Sequence, residues 1–106
     1  MATKGKKTDG KVQAVLDALR KGYRASHPKA KIEAYRYNPC SIRVRIVDSN
    51  FAGKGLAERE EEVWPILESI PEHLRIEVSI LLLLTPAEKK HSLGSMEFDD
   101  PTPSLL

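Results

Sequence analysis

The stretch that decides the fold is residues 41–55, which read SIRVRIVDSNFAGKG. Apolar and basic side chains alternate through its first half, with Ile42, Val44 and Ile46 against Arg43 and Arg45. A period of two residues is typical of a strand that buries one face. The second half contains two glycines, which predict a turn out of the strand and into the next element.

The sequence before this stretch predicts a helix and a second strand. Residues 32–37 also alternate, and the short segment 38–40 separates them from the first strand, so the pair predicts an antiparallel hairpin. Apolar residues recur at three- and four-residue spacing from Val12 to Tyr23, which predicts a helix that ends before Pro28.

The sequence after this stretch predicts a helix, a strand and a short closing helix. Helical spacing covers about residues 56–70, and Pro65 predicts a kink or a break near Trp64 because proline lacks the amide. Residues 75–84 are apolar at most positions, as in a strand that is covered on both sides. The TPAE sequence at residues 85–88 predicts a capped helix start.

The predicted element order is α-β-β-α-(α)-β-α. This order indicates an α+β fold, a two-layer sandwich in which helices cover one face of a three-stranded sheet. The second and third strands are parallel if they are neighbours, because a helix connects them.

Length and composition indicate one small domain. The chain has 106 residues, and we expect a packed domain over residues 9–91. We expect residues 1–8 to be a disordered basic segment and residues 92–106 to be a disordered acidic tail with prolines. The single cysteine excludes an intrachain disulfide and a multi-cysteine zinc site. No apolar run resembles a membrane span or a signal peptide, so the cytoplasm is the expected location.

The formal net charge of +2 is the sum of two opposite parts, since residues 1–31 carry +7 and residues 32–106 carry −5. Such an asymmetry is typical of proteins in which the basic part meets an anionic partner. The alternative is a solubilising tail next to a solvated helix face.

Residues 40–67 resemble the BolA-like family. The family signature is Phe-x-Gly-Lys after a strand and a serine, followed at fixed spacing by arginine, valine and leucine. Here it reads SNFAGK at residues 49–54, then Arg59, Val63 and Leu67. The TPAE sequence is similar to the family's closing Thr-Pro-x-Glu. The resemblance covers about residues 10–90 and implies the helix and strand order of class II KH domains.

The resemblance also implies an iron–sulfur cluster shared with a monothiol glutaredoxin, held by a residue of the hairpin loop and a histidine before the last strand. Cys40 lies in the hairpin loop and is a weak candidate ligand. The second position departs from the family, since residues 74–77 read LRIE and the nearest histidine is His73. We therefore expect no cofactor, and the alternative role for Cys40 is a small turn residue.

A basic and aromatic surface is the candidate site for single-stranded nucleic acid. Its residues are Tyr35, Tyr37, Arg43, Arg45 and Lys54. Cations follow phosphates and aromatic rings stack on bases, so this combination is typical of such sites. The alternative is an ordinary solvent-facing sheet surface with cross-strand packing.

A second candidate surface is apolar. Leu81 and Leu83 form an exposed strip for a protein partner or for self-association if no helix or tail covers them. Trp64 is either a core residue or an exposed interface anchor.

The sequence contains no nucleophile–base pair and no metal-ligand set. We therefore expect a non-enzymatic protein-interaction or regulatory domain with an unknown partner and no membrane association. The alternatives are a KH-like nucleic-acid-binding module and an iron–sulfur partner of a monothiol glutaredoxin through Cys40.

Overall fold

A computed structural model describes residues 7–105. Residues 1–6 of the basic segment that was expected to be disordered lie outside the described residues. The five helices and three strands are α1 (Gly10–Gly22), β1 (Lys31–Asn38), β2 (Ser41–Val47), α2 (Leu56–Leu67), α3 (Glu72–Arg75), β3 (Val78–Leu84), α4 (Pro86–Lys89) and α5 (Leu93–Asp99).

The three strands form one mixed sheet in the order β1-β2-β3. β1 and β2 pair antiparallel through the predicted hairpin, and β2 and β3 pair parallel across the connection that carries α2 and α3. The predicted α+β class and element order are confirmed. The pairing of β2 with β3 shifts between Ile42 and Arg43, and this irregularity sets which β3 side chains reach each face.

The hydrophobic core lies on one face of the sheet, which we call the inner face. α1 and α2 cover it, and the carboxylate of Asp9 caps α1 by accepting from the amide of Val12 at 2.9 Å. Both helices and all three strands contribute buried side chains to this core, among them Val15, Leu19, Ile32, Val44, Ile46, Val63, Leu67 and Leu83.

The chain turns from β2 into α2 through a short 3-10 segment at Ser49–Phe51. Gly53 follows with φ of 77°, a conformation that a residue with a Cβ rarely adopts, so the glycine at this position has a clear backbone reason. α2 then continues through Pro65 to Leu67, so the predicted break near Trp64 is wrong. Pro65 has no amide to donate to the carbonyl of Glu61, so the helix loses one backbone hydrogen bond there but continues to Leu67.

α5 packs on the opposite face of the sheet, which we call the outer face. The predicted helices cover one face of the sheet, and α5 is an additional helix on the other face that the sequence did not predict. The expected disorder of residues 92–106 is wrong at Leu93–Asp99, where the hydroxyl of Ser92 caps a helix and Phe98 is buried. Lys7, which was expected in the disordered N-terminal segment, accepts a hydrogen bond from the amide of Arg36 at 2.7 Å.

No helix within residues 7–105 is both long enough and apolar enough to cross a membrane.

Candidate interaction surfaces

The outer face of the sheet is built from alternate residues of the hairpin. Tyr35 pairs with Arg43 and Glu33 pairs with Arg45 across the two strands. Burial of the apolar positions of β2 in the core forces both arginines to the outer face, as the alternation predicted. Both arginines are nevertheless buried, with 7% of Arg43 and 2% of Arg45 exposed.

Arg45 is enclosed by hydrogen-bond acceptors from β1 and α5. Its guanidinium donates to both carboxylate oxygens of Asp99 at 3.0 and 2.9 Å and to the hydroxyl of Ser95 at 2.8 Å. It also donates to the carboxylate of Glu33 at 2.5 Å. The bidentate arrangement is the strong form of an arginine–carboxylate pair, so Arg45 holds α5 against the sheet.

Arg43 and the two tyrosines are covered in the same way. Arg43 donates to Glu97 of α5 at 3.0 Å and to the hydroxyl of Tyr35 at 3.3 Å, and its guanidinium lies 3.5 Å from the ring centre of Tyr37. The Tyr35 hydroxyl donates to the carbonyl of Phe98 at 2.8 Å, and burial raises the pKa of Tyr35.

The residues proposed for nucleic acid therefore do not form an open surface. Arg43, Arg45 and Tyr35 are buried, and the hydroxyl of Tyr37 donates to the carbonyl of Thr102. Lys54 lies elsewhere, in an ion pair of 2.9 Å with Glu62. The hydrogen bond from Lys54 is the main cause that lowers the pKa of Glu62. In the folded chain the cationic groups of these residues have internal partners, and nucleic-acid binding at these side chains stays a prediction.

The predicted apolar strip of β3 also faces the other way. Leu81 and Leu83 pair with Val44 and Ile46 on the inner face, where Leu83 is 2% exposed and Leu81 packs against the core. In this structure the two leucines therefore do not form an exposed strip. Leu82 lies on the outer face, and its side chain is close to Gly94 of α5. A Cβ atom placed on Gly94 would lie 3.1 Å from the side chain of Leu82.

Trp64 lies on the outward side of α2 and is 45% exposed. It borders a shallow cavity of about 630 Å³ that is lined by Ala57, Glu60, Glu61, Trp64 and Pro65. Of the two readings of Trp64, the structure shows the exposed one. An exposed tryptophan beside apolar neighbours is a common anchor of protein interfaces, and the two glutamates give this patch a negative rim.

A basic cleft lies at the other end of β2 from the hairpin turn. Its volume is about 710 Å³, and its lysines are Lys29, Lys31, Lys89 and Lys90. Among residues 7–105, Lys31 makes an ion pair with Glu33, whereas the other three lysines make none. The sequence analysis missed this cleft, because two of its lysines lie about 60 residues from the other two and only the ends of the strands bring them together.

Cys40 is an exposed free thiol in the hairpin turn, where its amide donates to the side-chain oxygen of Asn38 at 2.8 Å. His73 is exposed on α3. Within residues 7–105, no group of three or more His, Cys, Asp and Glu side chains is placed to hold a metal ion.

Arg59 and Glu88 connect two parts of the sequence signature. The guanidinium of Arg59 donates to both carboxylate oxygens of Glu88 at 2.6 and 3.0 Å and to the carbonyl of Leu83 at 2.8 Å. Glu88 also accepts from the amide of Thr85 at 2.9 Å in the capping box of α4. The spacing of this arginine and of the Thr-Pro-x-Glu sequence is therefore explained by the junction between α2, β3 and α4.

The structure is similar over about three quarters of its length to the solved structure of BolA1 from Arabidopsis thaliana, with a TM-score of 0.50 and 19% sequence identity. The match covers 76% of this chain and 98% of that chain. The chain therefore has the BolA-like fold that the sequence resemblance implied. No protein-family model and no curated protein sequence matches the chain.

Proposed function

We propose that this BolA-like domain is a non-enzymatic protein-interaction module that binds a basic partner segment through the Trp64 patch. This patch is defined as Ala57, Glu60, Glu61, Trp64 and Pro65. The observation that carries the proposal is the exposure of Trp64 beside a cavity with two glutamates at its edge.

The chemistry of the patch sets the chemistry of the partner. Tryptophan and proline offer an apolar contact, and a large aromatic residue in a concave patch contributes a large share of binding energy in many interfaces. Glu60 and Glu61 are exposed and, among residues 7–105, make no ion pair. A segment with one apolar side chain and flanking lysines or arginines fits this arrangement, because opposite charges at the rim raise the association rate.

The test begins with a pull-down from the native cell extract, with and without nuclease, and continues with the purified partner. Trp64 is the only tryptophan, so its fluorescence reports on the patch when the wild type is titrated, and calorimetric titration measures all variants, including the one that lacks the tryptophan. We expect Trp64→Ala and the double variant Glu60→Lys/Glu61→Lys to weaken binding by tenfold or more, about 1.4 kcal/mol. The control is Ile76→Ala, which truncates another large apolar side chain that is 72% exposed. Binding that survives both changes at the patch contradicts the proposal.

A second candidate function is binding of single-stranded nucleic acid at the basic cleft, since three of its lysines make no ion pair within residues 7–105. The test is the fluorescence anisotropy of a labelled single-stranded oligonucleotide at several salt concentrations. Lys89→Glu/Lys90→Glu should weaken binding and reduce its salt dependence, while Lys21→Glu on α1 is the matched control. No binding at low salt rejects this candidate.

The implied iron–sulfur role stays a separate proposal for Cys40. Its test is the visible absorbance of the chain after co-expression with a monothiol glutaredoxin. Absorbance that is lost in Cys40→Ser would support it, and a colourless preparation would reject it.

A further inference from the structure

We propose that the outer face of the sheet is a binding site for short acidic helices with a central phenylalanine, and that α5 is its intramolecular occupant. A partner segment of the same chemistry would displace α5. The receptor residues are Tyr35, Tyr37, Arg43 and Arg45, and the occupying segment is residues 92–104, which we call the strap. This site is separate from the Trp64 patch.

The first support is that the strap lies outside the hydrophobic core. The buried core cluster contains side chains of α1, α2 and the inner sheet face, and neither Phe98 nor Tyr35 belongs to it. Phe98 instead packs on the outer face, with its ring centre 4.8 Å from that of Tyr35 and 4.4 Å from the guanidinium of Arg45. The core does not depend on the strap for its own closure.

The second support is that the strap is held by specific polar contacts, as a recognised peptide is. Glu97 makes an ion pair with Arg43 and Asp99 makes one with Arg45. Phe98 lies between these carboxylates in the sequence, and its ring packs against Tyr35 and the guanidinium of Arg45. Alternating carboxylates around one aromatic anchor match a face that carries two guanidinium groups and two phenol rings.

The third support is that α5 leaves part of the receptor unused. The Nε atoms of Arg43 and Arg45 are buried and have no hydrogen-bond partner within residues 7–105. Buried donors without partners are rare in folded proteins. A partner segment with further acceptors beside its phenylalanine would accept hydrogen bonds from these two donors. Such a segment would make hydrogen bonds on this face that α5 does not make.

The fourth support is the small size of the occupant. α5 has seven residues, which is too short for a stable isolated helix, and Leu93 and Met96 point outward with 80% and 53% exposure. The strap keeps its place because a short connection tethers it to α4, which gives it a high effective concentration at the face. A partner must compete with this tether, so weakening the anchor should open the site.

The experiment uses the full chain and a fluorescein-labelled peptide of residues 92–104 as the probe. Phe98→Ala removes the anchor of the strap and leaves every receptor side chain in place. The apparent dissociation constant is inversely proportional to the open fraction, so we expect Phe98→Ala to bind the peptide at least about tenfold more tightly than the wild type. Leu93→Ala, on the exposed side of the same helix, should bind as the wild type does. A peptide with alanine in place of phenylalanine should not bind.

Amide hydrogen exchange of α5 and of the core strands identifies each outcome. If the α5 amides exchange faster in Phe98→Ala than in the wild type but the peptide does not bind more tightly, the proposal is overturned. If Phe98→Ala does not fold, Glu97→Gln/Asp99→Asn replaces it, and loss of the folded core in both variants would make α5 an integral element and overturn the proposal as well. A wild-type dimer that the peptide dissociates would assign the face to a second copy and overturn the assignment to a different partner.

Discussion

Replacing Arg59 by methionine removes four hydrogen bonds from the junction of α2, β3 and α4. The guanidinium donates to the carbonyl of Lys54 at 2.9 Å, to that of Leu83 at 2.8 Å, and to Glu88 at 2.6 and 3.0 Å. Methionine keeps most of the length and the apolar packing of the side chain, so the variant isolates these bonds.

The expected loss follows from the burial of each acceptor. The carbonyl of Leu83 is buried, and leaving it without a donor costs about 1–3 kcal/mol. The bond to Lys54 is partly buried and contributes about 0.5–1.5 kcal/mol. The side chain of Glu88 is 44% exposed, so the ion pair is screened and contributes about 0–1 kcal/mol. We expect Arg59→Met to lower the free energy of unfolding by about 2–4 kcal/mol.

The same junction predicts a pH dependence. The hydrogen bond from Arg59, followed by that from the Thr85 amide, lowers the pKa of Glu88 from 4.5 to about 2. A carboxylate with a lowered pKa in the folded state contributes stability above its unfolded pKa and loses it as the pH falls through the folded value. The difference in stability between the wild type and Glu88→Gln should therefore be largest above pH 4.5 and disappear near pH 2.

Urea denaturation followed by circular dichroism measures both effects. The control is Lys31→Met, which breaks an ion pair of 4.0 Å at a lysine side chain that is 67% exposed, and which should change stability by less than about 0.5 kcal/mol. Two results would contradict this account of the junction. One is a decrease in the free energy of unfolding of less than about 1 kcal/mol in Arg59→Met. The other is a stability difference between the wild type and Glu88→Gln that is the same at all pH values.

Three further experiments test the arrangement of the fold. Leu83→Ala should destabilise the domain by about 2–5 kcal/mol in urea denaturation, and Leu82→Ala by clearly less, because only the former truncates a core side chain; equal losses would contradict the assigned faces. Tyr23→Phe removes the 2.8 Å bond from its hydroxyl to Asp48 and should cost about 1–3 kcal/mol. Burial and Asp48 raise the pKa of Tyr23, so alkaline titration of Tyr23→Phe should lose one phenolate step that lies above the ordinary range of tyrosine. Cys40 is exposed, so a thiol reagent should modify one equivalent in the native state without unfolding the chain, and protection of the thiol would contradict its exposure.

Local patterns were enough to predict the helix and strand order from α1 to α4, but not α5. The stripe of α1, the alternation of β2 and the capping box of α4 each act over four to thirteen residues, and the structure keeps all three. These elements form where the sequence indicates because helix caps and side-chain periodicity act between close neighbours along the chain.

The sequence could not predict which side chains of β3 face the core. Residues 80–84 read ILLLL, so both faces of the strand are equally apolar and no alternation shows which one meets the core. The register shift between Ile42 and Arg43 decides it, because one residue of displacement exchanges every side chain between the faces. Leu83 therefore belongs to the core and Leu82 to the outer face.

By itself the sequence determined that Arg43 and Arg45 lie on the face opposite the core, since alternation in β2 is a local property. Only the tertiary structure decided that the two arginines are buried there. Their partners Glu97 and Asp99 follow them by 54 residues each, in a seven-residue helix that has no periodicity long enough to recognise. Burying a charged guanidinium costs free energy unless a carboxylate lies beside it. Whether a carboxylate lies there depends on how the chain returns across the sheet.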